Sequence, residues 1–91
     1  MKRYMIEREI AGVGRLNREQ LRGVAAQSNR ALEQLSGKAQ WLHSYLVDNK
    51  TFCIYLADTE ASVREHARLS GFPANKVTEV HTVIHPTTEM L

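Results

Sequence analysis

The sequence predicts an α+β domain whose elements follow the order β-α-β-β-α-β. Four stretches alternate in polarity with the two-residue period of a strand. Two longer stretches repeat apolar residues every three or four positions, which is typical of a helix packed on one side. The stretch 41–56 contains two strands around a short polar turn and therefore predicts a hairpin. This order is that of the ferredoxin-like fold, an antiparallel sheet with both helices on one face.

Length and composition limit the classes of protein that fit. Ninety-one residues are expected to form one domain spanning residues 1–91, and 43% hydrophobic residues is an ordinary globular value. The net charge of +2, with basic and acidic residues interspersed, does not favour nucleic-acid binding. A single cysteine suits a reducing compartment. Without a membrane-length apolar run or an apolar signal region, we expect a cytoplasmic protein that does not bind membranes.

The first strand is predicted at residues 3–10, with apolar residues on one side and Met5, Glu7 and Glu9 on the other. Arg8 interrupts the apolar side, and we expect it near the end of the strand. A glycine-containing loop at 11–16 follows. The first helix then begins after Asn17, which is a good N-cap, and ends at Ser36-Gly37.

The hairpin at 41–56 is predicted to turn through three residues, Asp48 to Lys50, with Val47 opposite Thr51. Alternation then divides its side chains between two faces of the sheet. The face under the helices would carry Leu42, Ser44, Leu46, Phe52, Ile54 and Leu56. The open face would carry Trp41, His43, Tyr45, Thr51, Cys53 and Tyr55.

A second helix is predicted at 60–70, with Thr59 as its N-cap and Gly71 as its left-handed end. His66 shares one face of this helix with Val63, Ala67 and Ser70, and this is expected to be its inner or flanking face. The last strand is predicted at 77–84 and is ended by Pro86.

The face of the sheet without helices is expected to bind a second copy of the chain. An open surface with Trp41, Met5 and Tyr45 would be a sizeable apolar patch in a monomer. A two-fold homodimer through the sheet face covers this patch.

The same open face is a candidate metal site. In this fold the first strand lies beside the third, so Glu7 and Glu9 should share a face with Cys53 and His43. Carboxylate, thiolate and imidazole are the side-chain ligands of divalent transition metals. His66 either completes this site or is a hydrogen-bonded core residue. A polar dimer interface with His43 paired to Glu7, and a small-molecule pocket, remain alternatives because no CxxC or HExxH motif is present.

Several motifs resemble the small nickel-binding protein family described in streptomycetes. They are Trp-x-His-Ser-Tyr at 41–45, Thr-Phe-Cys-x-Tyr at 51–55, and Arg-Glu-His-Ala-Arg at 64–68 followed by Gly-Phe-Pro at 71–73. The resemblance covers almost the whole chain and implies a ferredoxin-like fold, a face-to-face dimer and nickel binding. His43, Cys53 and His66 lie in the matching motifs, and Glu7 and Glu9 in the matching first strand. His81 and His85 depart from the pattern, since an arginine and an aspartate are common there.

The leading hypothesis is a cytoplasmic homodimer that binds Ni(II), or another divalent transition metal, in a sequestering or sensing role. His43 and Glu7 are its first-choice ligands, followed by Cys53, His66 and Glu9. The alternative is a cofactor-free dimeric ferredoxin-like barrel enzyme, of oxygenase or isomerase type, with a small-molecule pocket near His43 and His66. A binding protein is favoured over an enzyme. Nucleophilic catalysis by Cys53, with His43 as the one candidate base, is disfavoured because no oxyanion-stabilising loop is recognisable.

Overall fold

Four strands and two helices make up the structure, a computed structural model that describes all 91 residues. In chain order they are β1 (Lys2–Glu9), α1 (Arg18–Glu33), β2 (Ala39–Leu46), β3 (Lys50–Ala57), α2 (Glu60–Ser70) and β4 (Lys76–Val80). Short 3-10 turns span Val13–Arg15 and Pro86–Met90. The predicted β-α-β-β-α-β order is confirmed.

The sheet has the order β2-β3-β1-β4, and each neighbouring pair of strands is antiparallel. β1 therefore lies centrally beside β3, as predicted. Both helices pack on one face, which we call the inner face, and we call the opposite side the outer face. The core on the inner side includes Tyr4, Ile6, Cys53, Tyr55 and Val63. Neither α1 nor α2 has the length and apolar composition of a membrane-spanning helix.

The hairpin between β2 and β3 turns through two residues, and the predicted three-residue turn is wrong. The Val47 N–H donates to the Lys50 carbonyl at 3.0 Å, so only Asp48 and Asn49 lie in the turn. Leu46 consequently pairs with Thr51. A register change of one residue exchanges the two faces of a strand. Each side chain of β3 therefore lies on the opposite face of the sheet from the one predicted.

Cys53 and Tyr55 lie on the inner face of β3, and Phe52 and Ile54 lie on its outer face. A β-bulge between Trp41 and His43 additionally places Trp41 against the core, while His43 stays on the outer face. The predicted division of the hairpin into two faces is thus wrong for β3, Trp41 and Leu42.

Three of the four helix ends follow the sequence signals, whereas α1 ends at Glu33, before the predicted Ser36-Gly37. The Asn17 side chain accepts from the Gln20 N–H at 2.8 Å and the Gln20 side chain accepts in return, which forms the predicted capping box. The Thr59 hydroxyl accepts from the Ser62 N–H, and Gly71 ends α2 in the left-handed region at φ 80°. These confirmed caps fix where both helices meet the sheet.

β4 is shorter than predicted, because it ends at Val80 and not at residue 84. Val80 pairs with Arg3, so only Lys2 of β1 remains beyond it to continue the ladder. The following residues leave the sheet, and Val83 lies near Met5 and Ile54 on the outer face.

Candidate functional site

A groove of about 350 Å³ lies on the outer face, and we call it the outer groove. It is lined by Arg3, Met5, Leu42, His43, Tyr45, Ile54, Val80 and Val83. His43 is exposed, and its ring packs edge-on against Tyr45 with centroids 5.1 Å apart. His43 follows the bulge in β2 and keeps the outward position that the alternation predicted. An accessible imidazole thus lies on the face that the helices leave open.

Two predicted acidic ligands lie on the same outer face. The Glu7 carboxylate is 3.9 Å from the Lys50 ammonium. Glu9 is exposed at the end of β1, where its N–H donates to the Asn75 side-chain oxygen at 2.7 Å. Both residues keep the orientation that the alternation of the first strand predicted.

Within one chain these donors do not converge on a common point. Glu7 lies opposite Phe52 of β3, and β2 with His43 lies beyond it. Because neighbouring strands are about 4.8 Å apart and His43 lies opposite Ile54, two residues along β3 from Phe52, the backbones of Glu7 and His43 are separated by about 12 Å. No three His, Cys, Asp or Glu side chains of the chain are close enough to hold one ion. The donor types suit nickel, but one copy supplies only part of a ligand set.

Cys53 is buried on the inner face, with its sulfur 3.4 Å from the Thr51 hydroxyl. The expectation that Cys53 shares a face with His43, Glu7 and Glu9 is wrong. The cause is the two-residue turn, which inverts β3 while leaving β1 and the end of β2 as predicted.

His66 is fully buried on α2, between the helices and the sheet. Its Nε2 lies 3.2 Å from the Ser28 hydroxyl, and its ring lies 5.0 Å from that of Tyr55. Burial is the main cause that lowers the pKa of His66, and the positive charge of Arg8 lowers it further. A neutral His66 hydrogen-bonded in the core agrees with one of the two readings of the sequence.

The alternative function required a pocket near both His43 and His66. His43 lines the outer groove, whereas His66 packs under the helices. The prediction of one pocket near both residues is therefore wrong, because the sheet lies between them.

A second cavity, of about 180 Å³, lies between the inner face and the helices, and we call it the inner cavity. Sequence reasoning did not find it. Arg8, Ser28, Trp41 and Tyr55 are among its lining residues. The one available signal was the position of Arg8 in line with Tyr4 and Ile6, which places a cation on the buried side of β1.

Comparison with known proteins gives two matches. Residues 4–80 match the family described as nickel responsive protein SCO4226-like. The crystal structure of SCO4226 from Streptomyces coelicolor A3(2) superposes with a TM-score of 0.75 at 12% identity, covering 90% of this chain and 99% of that chain. At this identity the likeness shows a common fold. No curated protein matches the chain significantly. Since the family match spans most of the sequence, the chain belongs to the SCO4226-like family of nickel responsive proteins.

Proposed function

We propose that the protein is a cytoplasmic homodimer that binds nickel on its outer face and sequesters or senses the ion. The observation that carries the proposal is the presence of His43, Glu7 and Glu9 together on the face without helices, in a chain of a nickel responsive family. Imidazole and carboxylate are suitable ligands for nickel.

The surface of the outer face supports the homodimer. Tyr45 is 59% exposed and Leu42 is 40% exposed, and both border the outer groove with Met5. Phe52 and Leu56 of β3 are only partly covered on the same face. An apolar surface of this kind is costly in water and is typically covered by a partner. A second copy related by a two-fold axis covers both apolar faces at once.

The second copy also supplies the missing ligands. A two-fold axis brings a second His43, Glu7 and Glu9 to the covered face, so that two imidazoles and four carboxylates become available. Cys53 and His66 lie on the other side of the sheet and are therefore not part of the proposed site. Nickel binding to Glu7 displaces the Lys50 ammonium. The loss of this ion pair costs little free energy, because a partly exposed pair at 3.9 Å is weak.

Calorimetric titration of metal-free protein with Ni(II) tests this function. The substitution His43→Ala removes the proposed imidazole and should weaken binding by at least the factor of about 10 to 100 that even outer-shell changes cost. His85→Ala is the matched control, because His85 is exposed and lies outside the outer groove. The natural chain and the control should give equal heats. Equal heats in His43→Ala would rule out His43 as a ligand.

A further inference from the structure

The inner cavity has the volume and the apolar lining of a binding site for a small hydrophobic group. Most of its lining is hydrophobic and includes Ile10, Val13, Leu16, Trp41 and Phe72. Its volume of about 180 Å³ is comparable with apolar protein cavities of about 150 Å³ that accept benzene. A ligand of about six to nine non-hydrogen atoms is therefore of suitable size.

One buried cation lines this apolar cavity. Arg8 is 2% exposed and is the only Arg, Lys, Asp or Glu among the lining residues. Its guanidinium donates to the Pro73 carbonyl at 2.7 Å and to the Tyr55 hydroxyl at 3.5 Å, and it lies 5.7 Å from the centre of the Phe72 ring. All three neighbours are uncharged.

The charge of Arg8 has no negative partner within the chain. None of the ion pairs involves Arg8. A guanidinium carries five N–H donors, and a buried charge is ordinarily paired because its removal from water is costly. The Tyr55 phenol beside Arg8 does not supply a negative charge, because burial raises its pKa, and the His66 imidazole is either neutral or positive.

We propose that the inner cavity binds a small monocarboxylate with an apolar body. The carboxylate pairs with the Arg8 guanidinium, which matches its planar geometry and gives charge-assisted hydrogen bonds. The Tyr55 hydroxyl is placed to donate to the same anion, because it lines the cavity beside Arg8. The hydrocarbon part packs against Trp41, Phe72 and the other apolar walls. This site lies on the opposite side of the sheet from the proposed nickel site and is independent of it.

Trp41 gives a direct measurement, because it is the only tryptophan of the chain and it lines the cavity. The full chain, kept metal-free with a chelator, is titrated with hexanoate and with hexanamide, which has the same shape without the charge. We expect a saturable change in Trp41 emission, with hexanoate binding about tenfold or more tightly than hexanamide. Decanoate exceeds the cavity and should bind more weakly than hexanoate. Equal binding of acid and amide, a preference for decanoate, or no saturable change would overturn the proposal.

Substitutions distinguish the effect of Arg8 on ligand preference from that of other basic residues. Arg8→Gln should abolish the preference for the acid over the amide, whereas Arg30→Gln, at an exposed position of α1, should keep it. A folded Arg8→Gln variant that retains the preference contradicts the proposal. If that variant does not fold, the comparison of hexanoate with hexanamide on the natural chain decides the question.

Discussion

At the scale of single residues, His66 shows what the period of a helix predicts about burial, and Arg8 shows what the alternation of a strand leaves unpredicted. The helical period placed His66 on one face with Val63, Ala67 and Ser70, and the burial of all four confirms that they share a face. Arg8 was expected near a strand end because a lone cation conflicts with an apolar face. Its burial depends on Pro73, Tyr55 and the inner cavity, which belong to distant parts of the chain and leave no local pattern.

The burial of His66 predicts a pH dependence of stability. Its pKa in the folded chain is lowered from 6.5, so below about pH 6.5 the unfolded chain takes up a proton that the folded chain does not. The free energy of unfolding should therefore fall as the pH is lowered from 7.5 to 5.5, by up to about 1.4 kcal/mol per pH unit from this residue. Urea unfolding of metal-free protein at several pH values measures it.

His66→Asn removes the titrating group and should flatten this dependence, whatever its effect on stability at pH 7.5. His81→Asn is the control, because His81 is exposed and should leave the dependence unchanged. Asp58 and Glu65 also have lowered pKa values, but those carboxyls titrate below this range. An unaltered slope in His66→Asn would show that His66 is not held neutral.

At the scale of elements, the hairpin shows why the faces of one strand were assigned wrongly. The third strand, Thr51 to Ala57, is apolar on both sides, so alternation does not reveal which side meets the helices. Three polar residues suggested a three-residue turn, but the backbone of Lys50 already pairs with Val47. The first strand, with Glu7 and Glu9 alternating against Tyr4 and Ile6, had no such ambiguity and was predicted correctly.

The contact between the first loop and the hairpin turn predicts the effect of a single methyl group. The Gly14 N–H donates to the Asp48 carbonyl at 3.1 Å, and a Cβ at Gly14 would clash with the Val47 carbonyl and lie 2.9 Å from the Asp48 Cα. Gly14→Ala should therefore destabilise the protein by about 1–3 kcal/mol in urea unfolding.

The matched control is Gly23→Ala in the exposed interior of α1, where an added Cβ meets nothing within 4 Å. That change should stabilise the protein by about 0.5–1 kcal/mol, since alanine favours the helix. A neutral or stabilising result for Gly14→Ala would show that the loop and the turn do not pack as described.

At the scale of the whole molecule, periodicity, caps and turn residues were sufficient for the fold. Asn17, Thr59 and Gly71 mark the helix ends, and the order of elements follows from them. The site was harder to predict from the sequence, because it depends on strand register, on the bulge beside His43 and on the proposed second copy. Glu7, Glu9 and His43 were predicted on the open face correctly, while Cys53 moved to the core with its strand.

The central claim is that two copies of the chain share a nickel site on their outer faces. Native mass spectrometry of metal-free protein titrated with Ni(II) measures the number of chains and of ions in the same species. We expect nickel on dimers, no nickel on monomers, and dimers without nickel for His43→Ala at the same concentrations. Nickel bound to monomers, or equal nickel loading of the His43→Ala dimer, would contradict the shared site.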